Sequence, residues 1–483
     1  MNSLNGKYKP RLAAGTIGVV TVLMVAEFVG TFESAMIFIA LPSLMSEFNA
    51  DAAAVGWAAT AFLLVAAASA AICGRLGDMY GRKKMLVAVL AISVLGSIVS
   101  FSFGSLEGVI AGRALQGTAG ATLPLCLGIA RESLPEKKVP GVIALIAGCS
   151  FIAGAGGNLI AGILLDAGSW RTLFLVSGAM GLIATFMVAT MLAPSLPSSG
   201  PQQKIDYIGG LLFAPAVALV LYGLTNSASW GIFDARTLGF VAGGLLVAAI
   251  WCWWELRTSN PMINLRLMRG NKMGLTQLAT AVLNLGPLVA LGLLTPIILL
   301  SPVEAPVGMG LSASAAGLII FSAAALCFIG SPISGRIAAA LGARRALLIG
   351  VGTSIVGYAA MFFSDNHLGL FIINTYVIAI GTMFTYTAFP NLVAEAVPLE
   401  HTSEGMGINT VTRTIFMAIG TTVITMALAS STAEGTTLPT ESAFNSAYTA
   451  ILVSCILGLV LALMIKEPRK TRSVEQSPVS LER

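Results

Sequence analysis

The sequence predicts an all-α, polytopic membrane protein with fourteen transmembrane helices, two six-helix bundles and two further helices between them. Three observations predict it. Hydrophobic residues make up 56% of the 483-residue chain and charged residues only 10%, against about 25% charged in an ordinary soluble protein. The few charges fall in short clusters separated by apolar runs near the ~20 residues needed to cross a bilayer. An eleven-residue pattern then occurs twice: residues 74–84 read G-R-L-G-D-M-Y-G-R-K-K and residues 335–345 read G-R-I-A-A-A-L-G-A-R-R. Each copy is a short basic segment between two apolar runs, which is what duplication of a membrane unit leaves behind.

In chain order, the polar N-terminus carries Lys7, Lys9 and Arg11 and is followed by an apolar run too long for a signal-peptide core, read as the first span. The runs centre near Glu27, Phe62, Ser93, Thr118, Phe151 and Met180, then Ala216 and Leu245, then Leu285, Ala324, Ser354, Val377, Phe416 and Cys455. This gives a bundle over 1–192, a linker and two extra helices over 193–270, a second bundle over 271–466 and a tail over 467–483. The segment 193–204, rich in Pro and Ser, reads as a flexible connection. In both bundles the repeated segment follows the second span.

Charge sets orientation. With the N-terminus inside, the cytoplasmic segments hold Arg75, Arg82, Lys83, Lys84, Arg131, Lys137, Lys138, Lys204, Arg257, Arg266, Arg269, Lys272, Arg336, Arg344, Arg345 and Lys466, whereas the other side receives only Arg171 and Arg236. The acidic residues Glu47, Asp51, Asp234, Glu304, Asp365, Glu434 and Glu441 fall on that other side. Both termini are thus expected in the cytoplasm. The net charge of +5 is spread over short loops and does not point to nucleic acid. Six scattered cysteines and two distant histidines, His367 and His401, form no metal or disulfide pattern.

Specific motifs extend the reading. Segment 74–84, the R-A-L-Q-G of Arg113–Gly117, Trp170-Arg171, the P-M-I-N-L-R-L of 261–267 and the E-G-M-G-I-N-T-V-T-R of 404–413 together resemble the major facilitator superfamily, and within it the fourteen-span drug:proton antiporters. The resemblance covers nearly the whole chain. It implies a monomer in the bacterial inner membrane that exports hydrophobic, cationic small molecules by alternating access, driven by the proton gradient with no metal or other cofactor. Its partners would be small-molecule substrates, protons and lipid. Two positions depart from the subfamily. Glu33 stands where an Asp is expected before Ala40-Leu41-Pro42, and the Gly-Pro of the span-5 antiport motif is replaced by Gly157-Asn158, followed by Gly162. The missing proline keeps open a second reading, proton-coupled uptake of an organic acid or other small metabolite. Nothing in the sequence matches a G-x-x-x-x-G-K-[ST] loop for ATP drive, or the paired acidic or His/Cys motifs of a membrane enzyme.

Few residues can carry mechanism. Glu27 and Glu33 lie in the first span, where a carboxylate is costly and calls for a functional or structural reason. They are separated by ~9 Å along the helix and ~120° around it, so they need not share a site. Glu33, at the motif position, is the expected coupling group, with Glu27 a second candidate for proton or substrate. Arg113 and Gln116, three residues apart, share a helix face, and Arg113 is expected to pair with a span-1 carboxylate. Gly74, Asp78, Gly81 and Arg82 form a gating segment in which Asp78 pairs locally or at a helix terminus of the other half; Ala339 replaces Asp78 in the second copy, so the latch should be one-sided. The glycines of span 5 read as close packing. Trp57, Phe62, Tyr386 and Phe389 are weak candidates for a substrate pocket, and Glu404 and Arg413 are read as structural charges near the cytoplasmic end of span 13.

Overall fold

The computed structural model describes residues 15–50, 52–167, 169–195, 206–259, 261, 263–303, 305–363, 367–429, 431 and 439–466. Lys7, Lys9, Arg11, Asp51, most of the 193–204 linker with Lys204, Met262, Glu304, Asp365, Glu434 and the 467–483 tail lie outside the described residues.

The membrane segments among the described residues are helical, as a bilayer requires of a backbone that must bond to itself. The first bundle contains α1 (Thr16–Phe48), α2 (Ala52–Tyr80), α3 (Arg82–Ser102), α4 (Leu106–Gln116), α5 (Thr122–Ser133), α6 (Val139–Ala167) and α7 (Arg171–Met191). The inserted pair is α8 (Tyr207–Trp230) and α9 (Ala235–Arg257). The second bundle contains α10 (Asn271–Leu285), α11 (Pro287–Leu300), α12 (Ala313–Leu341), α13 (Ala343–Met361), α14 (Leu368–Ala396), α15 (Thr402–Ala429) and α16 (Glu441–Met464).

Among the described residues, twelve helical stretches are long and apolar enough to cross a membrane, not the fourteen expected. The two expected spans outside that set are those near Thr118 and Ser354. The first is interrupted: α4 passes through a 3-10 stretch, Gly117–Ala121, before α5 begins, and the segment carries Glu107, Arg113 and Arg131. The second, α13, is only 19 residues long and spends two of them on Arg344 and Arg345.

The repeated segment is a helix corner rather than a loop. Residues 74–80 complete α2, and α3 starts at Arg82; between them only Gly81 leaves the helix, with φ +102°. Gly342 does the same between α12 and α13, with φ +95°. An L side chain is strained in that region, so each corner needs its glycine. Duplication also shows in packing. A Cβ on Gly96 of α3 would lie 2.5 Å from Gly112 O of α4, and one on Gly350 of α13 would lie 2.6 Å from Thr385 N of α14. Small residues let these backbones approach where apolar burial gives no drive in lipid.

The two bundles meet at the basic end. A Cβ at Gly74 of α2 would lie 2.6 Å from Ser403 O at the start of α15, and one at Gly335 of α12 would lie 2.6 Å from Gly141 Cα at the start of α6. These are symmetry-related contacts between halves. At the opposite end Phe48 of α1 packs on Trp170 within its own bundle, at 5.4 Å between rings, and Trp57 of α2 stacks on Tyr222 of the inserted α8 at 5.0 Å.

Candidate functional site

The six-residue separation of Glu27 and Glu33 places them in two different surroundings. Glu33 is fully buried and turns toward α3 and α7: Ser93 Oγ donates to both its oxygens at 2.7 and 2.6 Å, and Ser177 Oγ donates at 2.8 Å. Glu27 turns toward α5 and α6. It accepts from Thr31 Oγ1 at 2.9 Å, Ser150 Oγ at 2.7 Å and Thr122 Oγ1 at 3.3 Å. Hydroxyls both donate and accept, so this shell suits a carboxylate and, after one hydroxyl rotates, a carboxylic acid.

Arg113 and Gln116 do share a face, and Arg113 Nη1 donates to Gln116 Oε1 at 2.9 Å. The expected ion pair with a span-1 carboxylate is not formed. Arg113 Nη1 instead reaches the backbone carbonyl of Glu33 at 2.8 Å, Nε reaches Ala58 O at 3.2 Å, and the guanidinium lies 4.3 Å over the Phe62 ring. The reason is geometric: Ser93 and Ser177 already hold the Glu33 carboxyl, and Gln116, bonded to both Arg113 and Ser177, stands between it and the guanidinium. Gln116 Nε2 closes the network by donating to Ser97 at 2.8 Å and Ser177 at 3.3 Å. Arg113→Ala would leave these buried carbonyls without their charged donor, a loss of about 3 kcal/mol or more. We expect a clear fall in the thermal unfolding midpoint of the detergent-purified protein, partly recovered by Arg113→Lys.

At the basic end Asp78 does two things. Its Oδ1 accepts from Arg82 Nε at 2.7 Å and from Ser403 N at 3.3 Å, and its Oδ2 accepts from Glu404 N at 2.9 Å. A carboxylate of the first bundle therefore sits on the unsatisfied amides at the N-terminus of α15 in the second, where the helix dipole favours negative charge. Arg82 fans out to Gly128 O at 3.1 Å, Glu132 Oε2 at 3.1 Å and Leu399 O at 2.6 Å. Arg75 Nη1 reaches Glu404 Oε2 at 3.1 Å, and Arg131 Nη1 reaches Thr402 Oγ1 at 2.7 Å and Val397 O at 2.9 Å. A Cβ on Gly77 would collide with Leu125 inside the first bundle and one on Gly128 with Ser403 of the second, so Gly128 lets the two halves close here. In the second copy Ala339 has no carboxylate to offer, and Asn391 Nδ2 donates to Pro140 O at 3.3 Å instead.

The inserted pair joins the same cluster, which no residue pattern predicts. Glu255 of α9 accepts from Ile263 N at 3.3 Å, and Asn264 N donates to Glu404 Oε1 at 2.6 Å. Asp206 caps α8 and accepts from Trp254 Nε1 at 2.9 Å.

The span-5 glycines divide. Gly148 is in close packing against Ser331 of the other half, and Gly157 faces Phe32 and Ala35 of α1 at 3.3–3.4 Å. Around Gly156 and Gly162, however, a Cβ would meet nothing within 4 Å, and Asn158 is exposed. Close packing accounts for only part of the motif, because α6 approaches the second bundle toward its basic end and diverges from it beyond.

A cleft lies between the halves, lined by Leu123 and Leu127 of α5, Tyr386, Phe389 and Pro390 of α14, and Met406, Asn409, Thr410 and Arg413 of α15. Phe151 of α6 packs against Tyr386 at 5.0 Å. Glu27 is attached to its edge, since Thr122 precedes the lining Leu123, and the charge of Arg413 reaches it. Glu33 and Gln116 have no part in this cleft. Sequence reasoning placed Arg413 near the membrane surface with Glu404; nine residues of helix carry it ~13 Å deeper.

A description of the Major Facilitator Superfamily matches residues 23–304 and again residues 288–481. The chain is 25% identical over 434 residues to the tetracenomycin C resistance and export protein of Streptomyces glaucescens, covering 89% of this chain and 77% of that one. It is 25% identical to the multidrug resistance protein Stp of Mycobacterium tuberculosis, over 82% of this chain and 73% of that one. It is 29% identical to the uridine/deoxyuridine transporter of Lactococcus lactis, over 72% and 74%. Similar folds are seen in the human organic anion transporter MFSD10 (TM-score 0.63, 12% identity, 94% of this chain and all of that one). The proton:xylose symporter XylE is comparable (TM-score 0.64, 14% identity, 93% and 96%).

Proposed function

The chain belongs to the major facilitator superfamily, whose members are membrane transporters rather than enzymes, and from that premise we propose that it is a proton-coupled secondary transporter exporting hydrophobic small molecules by alternating access. The observation that carries the proposal is the pairing of an apolar inter-bundle cleft with a buried, hydroxyl-held carboxylate, Glu27, at its edge. Resistance and export proteins among the relatives support the direction. The uridine/deoxyuridine relative supports the second reading, proton-coupled uptake of a small metabolite.

The proposed cycle uses the chain's own residues. Glu27 holds a proton or yields it when substrate enters the cleft from the basic end, which we place in the cytoplasm. Asp78 and Arg82 hold the basic end shut in the outward-facing state and release α15 when the halves rock. Glu33, Arg113 and Gln116 form a buried brace of α1 against α3, α4 and α7. Energised cells carrying the protein should accumulate less of a hydrophobic dye than cells without it, and a protonophore should abolish the difference. Greater accumulation with the protein would favour uptake.

We further propose fourteen crossings, with α4–α5 together and α13 as the remaining two. Support comes from where these segments begin and end. Ser100, near the end of α3, bonds Val109 of α4, whereas Glu132, at the end of α5, bonds Arg82 at the basic end. Likewise Ala343 N at the start of α13 bonds Glu395, and Tyr358 near its end bonds Pro287 O in mid-bundle. In a cysteine-free background, single cysteines at Lys84 and at Arg345 should react with an impermeant maleimide from the same side, and one at His367, beyond α13, from the other. Were α4–α5 not to cross, Lys84 and Arg345 would label from opposite sides; were α13 not to cross, Arg345 and His367 would label from the same side.

A further inference from the structure

Among the described residues, the buried cations Arg75, Arg82 and Arg113 each meet oxygen partners where they sit, whereas Arg413 is half-buried on the cleft wall. Arg75 meets Glu404, Arg82 meets Asp78 and Glu132, and Arg113 has three oxygen acceptors. Arg413 differs. Its guanidinium lies 4.7 Å over the Tyr386 ring, and among the described residues no carboxylate comes within ion-pair distance of it. An aromatic face attracts a cation but does not accept its five in-plane N–H donors, and no oxygen among the described residues accepts from them. What this position lacks is an oxygen anion. Across the cleft, on the other bundle, stands Glu27, a carboxyl group with no described cation at contact distance and only hydroxyls bonded to it. Leu123, Leu127, Phe389 and Met406 make the space between apolar.

We propose that Arg413 anchors the acidic group of the substrate and that the cleft takes amphipathic zwitterions, with a carboxylate or phenolate on Arg413 and an amine toward Glu27. This rests on the reading of the cleft as the transport path. A bare cation would neutralise Glu27 while facing the charge of Arg413, and a bare anion would do the reverse. A net-neutral ligand answers both at once. A planar guanidinium fork suits a carboxylate better than an ammonium does. The amine end competes with the proton for Glu27, so exchange of substrate for proton is retained.

The test is equilibrium binding to the purified full-length protein of three fluorescent probes on one pyrene body, bearing an amine, a carboxylate, or both on one carbon. The amino-carboxylate probe should bind at least about tenfold more tightly than the amine, the factor expected of charge-assisted hydrogen bonds. Arg413→Gln should erase that preference while leaving the amine's affinity equal or improved. Glu27→Gln should instead weaken the amine-bearing probes and spare the carboxylate. Arg413→Lys, which keeps the charge and loses the fork, should retain an intermediate preference; it supplies the same comparison if Arg413→Gln is not monodisperse. Equal binding of all three probes, preference for the plain amine, or a parallel loss of all three in Arg413→Gln would overturn the assignment. The transport proposal fails separately, if a pH gradient moves none of the probes whatever their order of binding.

Discussion

Glu27→Gln should abolish proton-driven transport while leaving the protein inserted and folded. Gln is isosteric, and its amide can still hydrogen-bond Thr31, Ser150 and Thr122, so the packing of α1 against α5 and α6 is kept. What is removed is the group that can exist in two charge states beside the cleft. Coupling free energies of 1–3 kcal/mol correspond to about 5- to 150-fold effects, and with the whole coupling lost the pH gradient should add nothing to the rate. Exchange of substrate with no gradient imposed should survive, because it needs no change of charge at residue 27. Glu33→Gln should be the milder variant, since its carboxyl faces Ser93 and Ser177 away from the cleft. The measurement is the ratio of driven to exchange transport in both variants. Loss of driven transport in Glu33→Gln alone would return the coupling role to the motif position.

Asp78→Asn should open the basic end. One carboxylate there answers Arg82 and the amides of Ser403 and Glu404, and each hydrogen bond to a charged group contributes about 1.5–3 kcal/mol. Losing one such contribution lowers the population of the closed basic end about tenfold or more. Distances between spin labels on Lys83 and Glu400 should lengthen in Asp78→Asn, and transport should slow without loss of inserted protein. Ala339→Asp should not restore it, because the second corner faces the start of α6 near Pro140 and Gly141, not α15. An unchanged distance distribution together with normal transport would leave the corner with no gating role.

Much of this architecture is legible from residue spacing. The repeated pattern located both corners, and the positive φ of Gly81 and Gly342 explains why a glycine stands at the same place in each. The ~120° between Glu27 and Glu33 was enough to separate them, but not to say which meets the cleft. Helix α1 is apolar all round, so no periodicity marks its inner face. The i, i+3 spacing of Arg113 and Gln116 gave their contact. The choice of a backbone carbonyl over a carboxylate depended on Ser93 and Ser177, which come from other helices. Arg413 was misjudged for a related reason. Its depth follows from helix rise, but its cleft exists only where α14 and α15 diverge from α5, and no local signal records that. The number of membrane-length helices differed from the number of apolar runs because the α4–α5 segment is broken by the 3-10 stretch at Gly117–Ala121 and α13 spends two of its 19 residues on arginines.

The central claim is that the proton gradient drives substrate through this cleft by way of Glu27. Purified protein in liposomes, with a pH gradient imposed and a pyrene amino-carboxylate followed by fluorescence, tests it directly. The account predicts accumulation of the probe against its own gradient, into the compartment from which protons leave, that collapses with a protonophore and is absent in Glu27→Gln. Probe movement that ignores the pH gradient, or full proton-driven accumulation by Glu27→Gln, would contradict it.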